Sequence, residues 1–397
     1  MSEAATAGGT PAFTLFDEAT AQNPYPTYAR LRREAPVSRI GSAGLWAVAR
    51  YQDVVRILRD PETFSSVVGA KQLSGEQVQP SMLFSDPPIH TRLRGLVAKA
   101  FTPRVVELQR PAVQAYSNRL IDAMLARDEA DVVADLAYPL PVQVIATMLG
   151  VADGDLATFK RWSDAIIEHL GVLIVTGDDS ALADVNRDMD AYFRERLAKL
   201  RREPEDNLLS ELVHVETEDG RLTEDELLMF CRLLLVAGNE TTTGLIVNAV
   251  RAFAEFPEAL DRVRSDLRLL PGAIEEALRY YAPFQATFRR ATRDVEVAGQ
   301  LIRANERLLV LLASANRDET VFPRPDEFDI TREPNRHVSF GMGIHYCVGA
   351  PLARLEAQVA LGTLLPRIRR VHVTETEAGQ LLRPGGPKSF RVRFEAA

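Results

Sequence analysis

Phe340-Gly341-Met342-Gly343-Ile344-His345-Tyr346-Cys347-Val348-Gly349 carries one thiol out of a glycine-rich run towards an apolar helix. Leu352, Leu355, Val359, Leu361 and Leu365 follow at helical spacing, so a helix is expected to begin beside the cysteine. The N-terminus of a helix stabilises an anion, and a thiolate is favoured there. Gly341, Gly343 and Gly349 let the backbone pass close to a flat ligand that side chains would obstruct. A cysteine on its own more often belongs to a structural core. Within this spacing Cys347 reads as an iron ligand, and the loop suits a haem.

The run resembles the haem-binding signature of the cytochrome P-450 family, Phe-Gly-x-Gly-x-His-x-Cys-x-Gly, and its continuation Pro351-Leu352-Ala353-Arg354 is similar to bacterial members. Further matches spread over nearly the whole chain. The resemblance implies a mainly α fold with small β-sheets (α+β), in which a long central helix lies over haem b and the cysteine loop lies beneath it.

Length and composition agree with one large body. No Gly/Ser/Pro-rich linker divides the 397 residues, so 13–397 reads as a single domain behind a disordered start at 1–12. Hydrophobic residues make up 46%, ample for a core, and a net charge of -8 argues against nucleic acid as the main partner. Two cysteines, Cys231 and Cys347, exclude a four-cysteine iron–sulfur cluster, a zinc ribbon and a secreted disulfide framework, which points to a reducing cytoplasm. Met1 to Pro11 has neither a basic segment nor a long apolar run, so no signal peptide or membrane anchor is expected.

Outward from the cysteine loop, Pro24 to Arg33 and Tyr51 to Leu58 read as helices on either side of a hairpin formed by Val37–Ile40 and Leu45–Ala49. Asp60 to Ser85 loses periodicity, and a loop of that length is usually functional or disordered. In the resembled family this region covers the substrate. Asp86, followed by Pro87 and Pro88, is expected to cap a helix. On it, His90 and Arg94 stand four residues apart on one face, where two cationic donors suit a carboxylate. By resemblance they hold haem propionates. Helices broken by Pro139, Pro141, Gly150, Gly154, Gly171 and Gly177 follow from 103 to 215, with 168–184 falling where the family has a mobile lid.

Leu222 to Phe256 is the longest helix candidate, opened by a capping box at Thr223 and Glu226 and stopped by Pro257. Apolar on nearly every face between Phe230 and Val236, it should run through the core. Ala237 to Thr243 then places a carboxylate and hydroxyls in that core. Either the carboxylate pairs with an arginine and the threonines bond back to their own helix, or Gly238 lets the helix open locally for a proton relay. The run looks like the family's acid–alcohol pair, which falls on Glu240 and Thr241; Asn239 receives no role. Glu276 and Arg279 share a face of the helix begun by Pro271 and resemble the family's buried structural pair. Glu327 stands where the family often has the pair's third partner, leaving Arg332 or His337 for that place. Phe288 to Leu312 alternates like strands that turn at Gly299. There Arg289 aligns with a second propionate arginine in preference to its neighbour Arg290, and His345 is the last propionate candidate.

The resemblance implies a haem-thiolate monooxygenase that uses O2, with electrons from a separate ferredoxin. That ferredoxin would dock where Arg92, Lys99, Arg104 and Arg354 offer positive charge to an acidic partner. A peroxide-driven peroxygenase and a catalytically silent haem-binding or sensor protein are the alternatives; such relatives tend to lack or can drop the acid–alcohol pair that this chain has. Pocket candidates are Met82, Leu83, Val236, Ala237, Thr241, Phe284, Gln285, Thr287 and Phe390, which are mostly apolar and suit a mid-sized hydrophobic substrate. Lys71, Gln72 and Gln285 are candidates to orient a polar end. A cytoplasmic monomer is expected.

Overall fold

The computed structural model describes residues 13, 15, 17–40, 44–68, 81–176, 180–218, 220–377 and 385–397. The expected disordered start at 1–12 and the substrate candidates Lys71 and Gln72 lie outside the described residues.

Helices α1 (Glu18–Gln22) and α2 (Tyr25–Glu34) lead into the hairpin β1 (Val37–Ile40) and β2 (Leu45–Val48), followed by α3 (Tyr51–Arg59) and β3 (Phe64–Ser65). A helical body comes next: α4 (Ile89–Ala100), α5 (Pro103–Glu107), α6 (Arg110–Leu125), α7 (Pro139–Met148) after the short β4 (Ala130–Asp131), α8 (Leu156–Thr176), α9 (Ala183–Leu200) and α10 (Leu208–His214). The long α11 (Glu224–Glu255) precedes α12 (Pro257–Ser265) and α13 (Leu270–Tyr280). Strands β5 (Thr287–Ala291), β6 (Val295–Val297), β7 (Gln300–Ile302) and β8 (Arg307–Val310) follow, then α14 (Leu312–Ala315), α15 (Ala350–Leu364), β9 (Ile368–Glu377) and β10 (Ser389–Ala396). The largest sheet has the order β1-β2-β8-β5-β3, with β2 and β8 parallel and the other neighbours antiparallel. β4-β10-β9 and β6-β7 form two smaller sheets. The architecture is therefore mainly helical with small sheets, as expected.

α11 is central because nothing on most of its surface prefers water. Leu227, Leu228, Leu235, Leu245, Ile246, Val250 and Phe253 are all buried, and residues of α6, α7, α13 and α15 join the same core. Its start is the expected capping box: the Glu226 amide donates to Thr223 Oγ1 at 3.2 Å, and the Thr223 amide donates to the Glu226 carboxylate at 2.9 Å. Pro257 begins the next helix, which ends this one. α11 is the one helix among the described residues long and apolar enough to cross a membrane, and most of its apolar window is buried inside the fold.

Two local expectations are corrected. α11 runs unbroken as α-helix through Gly238 rather than opening there. The glycine instead admits Ile145 of α7, whose Cδ1 would lie 2.7 Å from an added Cβ. Asp86 does not cap α4, which has no side-chain cap. With proline at both following positions a usual amide donor is missing, and the Asp86 carboxylate accepts from the Ser66 amide at 2.8 Å and Ser65 Oγ at 2.5 Å instead. Asp86 thereby ties β3 to the start of α4.

Candidate haem-thiolate site

The cysteine loop is shaped by positive-φ backbone at Gly341 (φ 70°) and Gly343 (φ 71°). At Gly343 an added Cβ would stand 2.4 Å from the Leu58 carbonyl oxygen, so the glycine is required twice over. The Cys347 amide donates to the Phe340 carbonyl at 2.9 Å and closes the loop. α15 then starts at Ala350, three residues beyond the cysteine. Burial pushes the Cys347 thiol above its ordinary pKa, while the amides of Gly349 and Ala350 and the Arg94 and Arg354 guanidiniums pull the other way. A metal resolves that contest, because a coordinating thiol is deprotonated outright.

Four cationic or imidazole side chains converge nearby. His90 is buried at 2% exposure, and neither of its ring nitrogens has a hydrogen-bond partner among the described residues. Its ring lies 4.2 Å from that of His345, centroid to centroid, and His345 Nε2 is 2.9 Å from Ser66 Oγ. Burial lowers the pKa of His90, with the Arg94 charge adding to the effect. Burial, Arg289, His90 and Arg94 together bring His345 down to about 3. Arg94 is half-buried, and Arg289 is buried with its guanidinium bonded, among the described residues, only to the Phe288 carbonyl at 2.7 Å and Thr287 Oγ1 at 3.5 Å. Burial takes Arg289 down to about 10. Its neighbour Arg290 is spent on the protein itself, donating to the Val67 carbonyl at 3.1 Å and to Asn305 Oδ1 at 2.8 Å. Such a set of donors, desolvated and mutually repelling, calls for an anion.

On α11, Glu240 is buried and Thr241 half-buried. The Thr241 hydroxyl donates to the Ala237 carbonyl at 2.8 Å, a bond back to its own helix. Asn239, given no role above, is fully buried and donates to Ser163 Oγ of α8 at 2.9 Å.

Glu276 and Arg279 are both fully buried and meet in a two-point pair at 2.7 and 2.8 Å. Arg332 is the third partner, its Nε 3.1 and 3.2 Å from the two Glu276 oxygens. The Asn335 side chain and the Asp329 amide complete the shell, and Glu327 contributes only its carbonyl, to Arg279 and Arg332. His337 is not in this set, because it contacts Glu275 instead, at 3.0 Å. Glu275 went unnoticed in the sequence because it stands beside Glu276; its one signal is a second carboxylate on the same turn.

The pocket candidates separate. Gln285 and Phe390 line a cavity of about 940 Å³ with Tyr25, Asn248, Arg251 and Tyr281, a cavity lined by neither Thr241 nor Cys347. Gln285 is held there by Tyr28, whose hydroxyl donates to it at 3.2 Å, so these two residues are not brought together with the candidates on α11. Met82 lines a small pocket with Leu93, Val97 and Phe230, Leu83 is exposed, and Phe284 packs against the core under the main sheet. Thr287 is half-buried in β5. Val236 is half-buried and Ala237 exposed, on the turn before Thr241. The basic patch is also thinned. Arg92 pairs with Glu226, Lys99 donates to the Glu216 carbonyl, and Arg354 is bound by Glu275, which leaves Arg104 without a side-chain bond among the described residues.

A family model described as Cytochrome P450 matches residues 27–379. The chain is 41% identical to the putative cytochrome P450 YjiB of Bacillus subtilis over 94% of each chain. It is 43% identical to the cytochrome P450 monooxygenase PikC of Streptomyces venezuelae, covering 87% of this chain and 84% of that one. Among solved structures, CYP109Q5 from Chondromyces apiculatus superposes with a TM-score of 0.89 at 39% identity, covering 97% and 99%. CYP109E1 from Bacillus megaterium in complex with testosterone gives 0.84 at 36% identity, covering 94% and 99%.

Proposed function

The chain belongs to the cytochrome P450 family and is an oxidoreductase of its monooxygenase type, and from that premise we propose that it inserts one oxygen atom of O2 into a mid-sized hydrophobic substrate, by hydroxylation or epoxidation. Electrons arrive from a separate ferredoxin and ferredoxin reductase. The observation that carries this reading is the thiol of Cys347 near a set of guanidinium and imidazole groups that make no ion pair among the described residues. His90 in particular has two buried ring nitrogens and no partner among the described residues.

These residues fit haem b. Cys347 would ligate its iron, and His90, Arg94, Arg289 and His345 would hold its two propionates by charge-assisted hydrogen bonds. Bound there, the haem supplies the redox-active iron, whose thiolate ligation favours O–O cleavage. The protein supplies position, protonation and dryness. Glu240 carries a carboxylate that can exchange protons with solvent, and Thr241 Oγ1 can hold a water or pass a proton once it turns from the Ala237 carbonyl. Val236 and Ala237, on the turn before Thr241, are apolar, which supports a substrate of the terpenoid, steroid, fatty acid or polyketide kind. A steroid bound to a neighbour 36% identical agrees with that range. Lys99 and Arg104 are the remaining positive contributors to ferredoxin docking.

The test is spectroscopic. The reduced, carbon monoxide-bound protein should show the band characteristic of a thiolate ligand, and Cys347→Ser should lose it. Persistence of the band in that variant, with its loss in Cys231→Ala, would overturn the assignment.

A further inference from the structure

We infer that Glu275 of α13 and Arg354 of α15, with His337, form a brace that positions the two ends of the cysteine loop; this rests on the reading of Cys347 as the haem ligand. The Glu275 carboxylate receives Arg354 Nε at 2.7 Å and a second guanidinium nitrogen at 2.8 Å, a two-point fork that fixes the plane of the guanidinium. His337 Nε2 reaches the same carboxylate at 3.0 Å from the chain entering the loop. Held this way, the guanidinium lies 4.5 Å from the centre of the Phe340 ring, and its remaining nitrogen donates to the Tyr346 hydroxyl at 3.4 Å.

Phe340 and Tyr346 are the two ends of the turn that presents the thiol. The Phe340 carbonyl accepts the Cys347 amide, and Tyr346 immediately precedes the ligand. One guanidinium therefore spans the loop where it closes. Tyr346 is 41% exposed, and its ring also meets that of Phe340 at 6.3 Å, centroid to centroid. Burial works to raise the Glu275 pKa, but Arg354 and His337 bring it down to about 2, so the brace keeps its charge at any working pH. Arg354 is accordingly a positioning residue, and not a free charge for a docking partner. Ligand-orienting groups outside the coordination sphere commonly matter about ten-fold to a metal site.

The experiment uses the haem-loaded protein and follows, after reduction and carbon monoxide binding, the rate at which the thiolate-ligated band decays. Haem content and melting temperature are measured alongside. Glu275→Gln and Arg354→Gln should each speed the decay about ten-fold. The double variant should decay no faster than the quicker single one, because both remove the same device. Arg354→Lys keeps the charge but not the fork, and should fall between wild type and Arg354→Gln. It decides the matter alone if Glu275→Gln does not fold. Decay at the wild-type rate would overturn the brace, as would effects that multiply in the double variant. A fall in melting temperature with unchanged decay would show a structural pair only, and also overturns it. Absence of the band from the wild-type protein would instead overturn the haem-thiolate reading itself.

Discussion

Arg289 and Arg290 are adjacent in sequence, yet strand geometry sends them to opposite faces. Arg290 is occupied by Val67, Asn305 and Ser65, whereas Arg289 is buried and, among the described residues, bonds only within its own strand. Arg289→Ala should therefore weaken haem retention more than Arg290→Ala, as read by the haem-to-protein absorbance ratio after gel filtration; equal ratios would remove the distinction. Thr241 poses a different question, because its hydroxyl already has a partner in the Ala237 carbonyl. If it serves proton delivery, Thr241→Ala should leave substrate affinity nearly unchanged while more of the reducing equivalents leave as hydrogen peroxide. Product formed per reducing equivalent is the measurement, and wild-type coupling would reduce Thr241 to a residue that satisfies its own helix.

At the scale of elements, α11 carries two glycines whose purpose is contact and not flexibility. Gly238 makes room for Ile145, and at Gly244 an added Cβ would lie 2.6 Å from the Gly385 carbonyl carbon and 2.7 Å from its Cα. Gly385 is backbone anchored by its amide to the Pro283 carbonyl at 2.8 Å, so it cannot yield as a side chain would. Gly244→Ala gains up to about 1 kcal/mol in helix propensity, against about 1–3 kcal/mol for overpacking. The variant should be net destabilised in thermal or urea unfolding, and a melting temperature at or above wild type would show that the C-terminal segment moves aside freely. The polar residues of α11 fit the same picture. Thr243 donates to the Ala137 carbonyl at 3.0 Å and Asn248 to the Tyr281 carbonyl at 2.9 Å, so each joins the helix to a neighbour.

Over the whole molecule, two adjacent carboxylates on α13 tie distant parts of the chain together. Glu276 gathers Arg279, Arg332 and Asn335, and Glu275 gathers His337 and Arg354. Glu275 is held near 2 when folded against an ordinary value of 4.5, so its stabilisation is present above about pH 4.5 and is lost as pH falls towards 2. Arg354 and His337 are the groups that face its carboxylate. The stability gap between wild type and Glu275→Gln should narrow as pH drops below about 4.5, measured by denaturant unfolding across that range. A gap that is constant with pH would mean that the Glu275 charge contributes nothing.

Regular periodicity and local chemistry were enough to read the capping box and span of α11, the hairpin β1–β2 and the cysteine loop, because each is written in residues close together in the chain, whereas the burial of the Glu276–Arg279 pair was implied only by family resemblance. Where the outcome depended on what packs from elsewhere, sequence was silent or misleading. Asp86 has a cap's identity but is drawn to Ser65 of β3 and to Ser66 just beyond it. Gly238 looks like a hinge but answers to Ile145. Arg354 looks like a surface charge but belongs to Glu275, 79 residues before it. Arg332 and His337 were equivalent candidates until tertiary structure sent each to a different one of two neighbouring carboxylates. A side chain's type and spacing determine which bonds it is able to make; which of them it does make depends on the donors and acceptors the fold brings within about 3 Å, and those come from distant sequence.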